Sequence, residues 1–220
     1  IFMNSLGKFS NQSVPFGLKD TEGWWIDIET GDFNQDGQPD FVIGNHGLNT
    51  FFKANDRLYI SDFDKNGSVE QIYCTKIGES FYPVLDKDEL VSQLPVLRKD
   101  LLYFRDYSKR SIDEIFPNTI QQSKFLEAKL LTSVLLLSND GIYEIMDLPL
   151  RAQFSPIYSL LVEDFDNDGI EDVIAGGNQY QVKPQFGRFD ASSGWFFRGR
   201  LSNGKFTFDD GVSLGVTGQI

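Results

Sequence analysis

Three short segments of this chain carry oxygen-bearing side chains at one repeated spacing: DFNQDGQPD (32–40), DFDKNGSVE (62–70) and DFDNDGIED (164–172). All fit the pattern D-F-[DN]-x-[DN]-G-x-x-[DE]. When such a segment curls, oxygens at positions 1, 3 and 5 converge on one point. The glycine at position 6 permits the sharp bend, the backbone carbonyl at position 7 turns inward, and the acid at position 9 closes a shell of about six oxygens. The candidate ligands are therefore Asp32, Asn34, Asp36, Gln38 and Asp40 in the first loop. Asp62, Asp64, Asn66, Ser68 and Glu70 form the second set, and Asp164, Asp166, Asp168, Ile170 and Asp172 the third, with Gln38, Ser68 and Ile170 contributing their carbonyls.

An all-oxygen shell without imidazole or thiolate suits a hard cation and not zinc or copper. Calcium is expected over magnesium, because a flexible all-protein cage matches its larger, variable coordination, and three loops imply up to three ions. The third loop keeps four aspartates and is expected to bind most tightly. An EF-hand shares the first six positions but needs a bidentate Glu at position 12 between two helices. Position 12 here is Ile43, Tyr73 and Ala175, so the EF-hand is excluded. Clusters of Asp, Asn and Gly also make plain turns. Three copies sharing the phenylalanine at position 2 and the closing acid favour the metal.

Each loop must be held by its flanks, which read as strands: 24–29, 58–61 and 158–163 before, 41–44, 71–75 and 173–176 after. The composition agrees, with 20 Phe, 8 Tyr, 3 Trp and 20 Gly among 220 residues. That is the profile of many short strands ended by turns. A net charge of −12 repels phosphate backbones and argues against nucleic acid as a partner. The single cysteine, Cys74, lies in an apolar strand-like run and cannot form an internal disulfide. The longest apolar stretch, near 130–137, is far short of the ~20 residues of a membrane-crossing helix.

Between the second and third loops the spacing changes. Residues 86–128 read as a helical insertion, with capping-box patterns at Asp86 to Glu89 and Ser111 to Glu114 and leucines at 90, 94, 97 and 101. Its basic residues Arg98, Lys99, Arg105, Lys109 and Arg110 read as a solvated face. A hairpin follows over 133–146, turning at Ser138, Asn139, Asp140 and Gly141. No nucleophile–base motif, zinc-protease helix or phosphate loop is present, and the lone His46 reads as a turn residue. Trp24, Trp25 and Trp195 are expected to pack between sheets.

At the three loops the chain resembles the FG-GAP and VCBS repeat proteins, the integrin-α-like β-propellers, and is most similar to the bacterial ASPIC/UnbV (cartilage acidic protein-like) group. The run FMNSLGKF (2–9), QFSPIY (153–158), AGGN (175–178) and GRFDAS (187–192) add to the likeness. The resemblance covers nearly the whole chain. It implies a mainly β fold, a partial β-propeller of about three to four four-stranded antiparallel blades in one domain over 1–220. The expected division is a blade tail at 1–18 and blades at 19–57, 58–148 and 149–213, the rest of a larger propeller lying elsewhere. It further implies an extracellular, periplasmic or outer-membrane surface location, with a signal or lipid anchor upstream. The expected role is calcium-dependent binding of a protein or glycan partner. Alternatives are a calcium-stabilised polysaccharide-active enzyme and a purely architectural segment.

Overall fold

A computed structural model describes residues 1–216 of the chain. The fold is mainly β, 36% strand against 14% helix, in several antiparallel sheets of which none closes into a barrel. Its strands are β1 (Phe2–Ser5), β2 (Lys8–Asn11), β3 (Asp27–Gly31), β4 (Asp40–Gly44), β5 (Arg57–Ser61), β6 (Glu70–Ile77), β7 (Ser80–Pro83) and β8 (Lys124–Glu127). After them come β9 (Val134–Asn139), β10 (Ile142–Asp147), β11 (Ser159–Glu163), β12 (Asp172–Gly176), β13 (Trp195–Phe197), β14 (Gly199–Ser202), β15 (Lys205–Phe208) and β16 (Val212–Ser213). Three short helices, α1 (Lys87–Gln93), α2 (Phe104–Tyr107) and α3 (Ile112–Ile115), lie between β7 and β8. No helix among the described residues is long and apolar enough to cross a membrane.

The chain divides into two compact units, one of 1–51 with 130 onward, the other Phe52–Lys129. In the first unit, β10-β9-β4-β3 and β11-β12-β13-β16 are four-stranded antiparallel sheets. Their apolar residues share one core that includes Phe33, Val42, Leu135, Leu160, Val173, Ala175, Trp195 and Phe197. Strand β9 carries the longest apolar run of the sequence. It sits between β4 and β10, with Val134, Leu135 and Leu136 all buried. A central strand covered on both faces has no polar side to show, hence the unbroken run.

The hairpins follow their turn residues. Asp140 and Gly141 have φ of 50° and 81°, the left-handed pair of a type I′ turn, and join β9 to β10 in the two-residue register Asn139↔Ile142. β1–β2 and β14–β15 are two-stranded hairpins of the same kind.

In the second unit β7-β6-β5-β8 form one sheet whose core joins Tyr59, Phe63, Ile72, Cys74 and Phe81 to Leu90, Leu94, Leu97, Ile112 and Phe116. Both capping boxes are present. The Asp86 carboxylate accepts from the Glu89 amide at 2.9 Å, and Ser111 Oγ from the Glu114 amide at 3.4 Å.

The strand partners differ from the expected division. The hairpin over 134–147 pairs with β4 (Phe41↔Leu136) and completes the sheet of the first loop, not that of the second. The boundaries 19–57 and 58–148 therefore do not describe the sheets. Phe52–Lys129 is instead inserted between the second and third strands of the first sheet. Residues 124–127, expected as the end of the helical stretch, are a strand on the free edge of β5. The physical reason is that β4 and β5 each had an open hydrogen-bonding edge, and sequence order alone does not say which later strand fills which.

The phenylalanine at loop position 2 anchors each bend unequally. Phe33 is fully buried, edge-on to Phe206 at 5.3 Å and Phe208 at 5.8 Å, whereas Phe165 is partly exposed beside Phe196 at 6.1 Å. Phe33→Ala is expected to cost about 3–5 kcal/mol and Phe165→Ala clearly less. Urea unfolding of the two variants measures the difference.

Candidate metal loops

Each nine-residue loop joins an antiparallel strand pair: β3 to β4, β5 to β6, and β11 to β12. All three adopt one backbone path. Position 4 is left-handed in each, at Gln35 (φ 59°), Lys65 (61°) and Asn167 (61°), and so is the glycine at position 6 (78°, 91° and 87°). A side chain at position 6 would be strained there, which explains the glycine.

The hydrogen bonds repeat as well. The position 1 carboxylate accepts from the amides at positions 5 and 6. Asp32 takes those of Asp36 and Gly37 (both 3.0 Å), Asp62 those of Asn66 (3.0 Å) and Gly67 (2.9 Å), and Asp164 those of Asp168 (3.1 Å) and Gly169 (2.8 Å). The side chain at position 5 accepts from the amide at position 7: Gln38 to Asp36, Ser68 to Asn66, Ile170 to Asp168. The closing acid accepts from the amide at position 2, with Asp40 to Phe33 at 2.8 Å, Glu70 to Phe63 at 2.9 Å and Asp172 to Phe165 at 3.1 Å.

This curl gathers carboxylates. Oxygens of Asp62, Asp64 and Glu70 lie within 4.8 Å of one another, as do those of Asp164, Asp166 and Asp172. Either trio could hold a cation. In the first loop position 3 is Asn34, whose amide donates to Asp36 (3.1 Å) and to the Ser138 carbonyl (3.0 Å), so only Asp32, Asp36 and Asp40 carry charge there.

The closing acids of the first and third loops are fully buried, and each ties its loop to a later strand, Asp40 to β9 of its own sheet and Asp172 to the start of β14. Asp40 accepts from the Ser138 amide at 2.6 Å, and Asp172 from the Gly199 amide at 2.8 Å. Burial raises both carboxyls above the ordinary aspartate value, and the amide bonds pull them back only in part. Neighbouring loop carboxylates add to the rise, Asp36 for Asp40 and Asp166 with Asp168 for Asp172.

Several participating residues lie outside the repeated pattern. Arg198 pairs with Asp166 at 2.7 Å and Arg200 approaches Asp168 at 3.8 Å. These cations lower the negative field of the third loop, so its four aspartates do not by themselves make it the tightest site. The alternation of Arg198 and Arg200 about one glycine was the available signal, since residues two apart on a strand share a side. Glu171 has no such signal. Its carboxylate accepts from the Asp32 amide at 2.7 Å, and Gln35 Nε2 donates to the Gly169 carbonyl at 2.6 Å, so the first and third loops are linked side by side. A side chain at Gly31 would collide with Glu171 Oε2.

His46 takes part in none of the loops. It is buried, edge-on to Phe189 at 5.7 Å, and burial pushes its pKa down to about 4. The tryptophans divide: Trp195 is buried in the core, Trp25 is partly exposed with its ring N–H donating to the Thr21 carbonyl at 2.9 Å. Comparison of the chain with protein-family models, with curated proteins and with solved structures returns no match.

A histidine kept neutral by burial binds its proton only in the unfolded chain once pH falls below about 6.5. Its share of stability is thus complete above that pH and declines down to about 4, a loss of about 3 kcal/mol from this residue. Asp40 and Asp172, raised by burial, act in the opposite sense and gain as pH falls. Melting curves across pH 7 to 4 should therefore drop less steeply in His46→Gln than in the parent chain; identical slopes would refute the assignment.

Proposed function

We propose that the three loops are calcium sites and that the chain is a calcium-stiffened segment of an FG-GAP/VCBS-type β-propeller which binds a protein or glycan at a cell surface. One observation carries the metal reading: the same nine-residue path, with the same left-handed positions and the same inward hydrogen bonds, occurs three times in loops that differ at their variable positions. A simple turn needs no closing acid. Here that acid is kept in all three, and in two of them it is buried at a cost that a bound cation would offset.

The propeller reading rests on the arrangement of the first unit. Two four-stranded antiparallel sheets, each with its strands neighbouring in chain order and its loop between the first two, pack through one shared core. The binding role rests on the resemblance at the loops and on the absence of any nucleophile–base motif in the sequence. In this reading calcium holds the loops of adjacent sheets in fixed register, so that the surfaces they border keep one shape for a partner.

Isothermal titration with calcium and, separately, magnesium tests the metal. Calcium is expected to bind at two to three sites per chain and magnesium much more weakly, with Asp62→Asn and Asp164→Asn each removing one calcium site. At calcium a hundredfold above Kd each site adds about 2.7 kcal/mol, so EDTA should lower Tm by several degrees. No heat at millimolar calcium, together with a melt indifferent to EDTA, would sink the proposal. A glycan array then tests the partner class.

A further inference from the structure

The inserted unit carries more large apolar side chains than its core takes up. Between β7 and β8 it buries Leu90, Leu94, Leu97 and Leu101 in the core shared with its sheet. The next three residues, Leu102, Tyr103 and Phe104, run into the start of α2 and are 64%, 59% and 57% exposed. Val96, on the short helical turn Pro95–Lys99, is exposed to the same degree. Apolar side chains gathered in this way on a surface mark a place where something else covers them.

The charge around them says what kind of partner fits. From Pro95 to Arg110 the chain holds five basic residues, Arg98, Lys99, Arg105, Lys109 and Arg110, against two acidic ones, Asp100 and Asp106. That is a net +3 within a chain of −12. The cations stand among the apolar side chains, not apart from them. Lys87, Arg98 and Leu102 line one groove. The Lys87 ammonium lies 5.0 Å from the centre of the Phe104 ring, and the Arg105 guanidinium 4.8 Å from that of Tyr103. Two nearby carboxylates are held by local partners. Asp88 pairs with Lys87 at 2.6 Å, and Asp106 accepts the Tyr103 amide at 3.1 Å beside Arg105 at 3.6 Å.

We propose that the bend from Pro95 to Arg110 docks the inserted unit on an anionic phospholipid surface, with Leu102 and Phe104 entering the headgroup–acyl boundary and the basic side chains meeting lipid phosphates. Tyrosine, apolar in its body and polar at its tip, suits that boundary, and long basic side chains reach from apolar depth to the charged layer. An acidic protein would answer the charge but would need a fitted pocket for each protruding side chain. A bilayer accepts them in any shape. The negative charge of the whole chain does not forbid the contact, because physiological salt screens charges beyond about 8 Å. The contact uses the insertion alone and stands apart from the calcium reading.

Vesicle flotation at physiological salt tests it, without added calcium, which would itself bridge acidic loops to lipid. The chain is expected to float with vesicles of phosphatidylcholine and phosphatidylglycerol and to stay behind with phosphatidylcholine alone. Arg98→Gln and Lys99→Gln should each weaken binding about fivefold. Leu102→Ser and Phe104→Ser should each weaken it about tenfold or more, with circular dichroism unchanged because both side chains are more than half exposed. In Phe104→Trp the emission of the new indole should be quenched by brominated acyl chains. Absence of flotation, or equal flotation on the neutral vesicles, overturns the proposal. So does binding that falls in Arg98→Gln yet is untouched in Phe104→Ser, which would mark the basic side chains as a site for an acidic protein.

Discussion

The carboxylate that ends each loop is the constraint on which the architecture turns. In Asp40 and Asp172 one oxygen accepts the amide at the start of the bend and the other the amide of a later strand, Ser138 on β9 or Gly199 at the start of β14. A single buried side chain thus fixes three things at once: the curl of the loop, the end of the second strand, and the docking of a later one. An aspartate there without both amides would be an uncompensated buried charge. Glu70 shows the variation. Its sheet has a short third strand that ends at Pro83, and the longer acid is partly exposed while keeping its bond to Phe63.

Charge is arranged around this constraint. Ten acidic groups at the ligand positions of three bends would repel one another, and the protein answers with local donors: backbone amides for positions 1, 5 and 9, and Arg198 and Arg200 for Asp166 and Asp168. Amide dipoles hold the carboxylates in a fixed shape without neutralising them, while the guanidiniums neutralise. A divalent ion at the third loop would share the outer oxygens with arginine.

What was legible in the sequence is what local chemistry determines. The loops, the capping boxes at Asp86 and Ser111 and the Asp140–Gly141 turn all depend on residues within a few positions of one another, and all appear where their patterns lie. Pairings made at long range were not legible. Nothing in Phe41 or Leu136 says that they pair across a unit of their own size, and the run at 134–136 fits either sheet equally well by hydrophobicity. Glu171 escaped for the same reason: its role depends on the adjacent loop at Asp32, far away in sequence.

The placement of Phe52–Lys129 inside the first sheet bears on the order of assembly. β4 and β9 are neighbours in space, yet a complete unit is synthesised between them. Left as a random coil, that interval would oppose their zipping through the entropy of a long closed loop. Its own ends, however, are pinned together, Asn55 to Ala128 at 2.7 Å and Ala128 to Asp56 at 3.0 Å. Once folded, it shortens the effective loop roughly fourfold and lowers the closure cost by about 1.2 kcal/mol. The inserted unit is thereby a staple formed in advance, and the first sheet becomes the last part of its neighbourhood able to close.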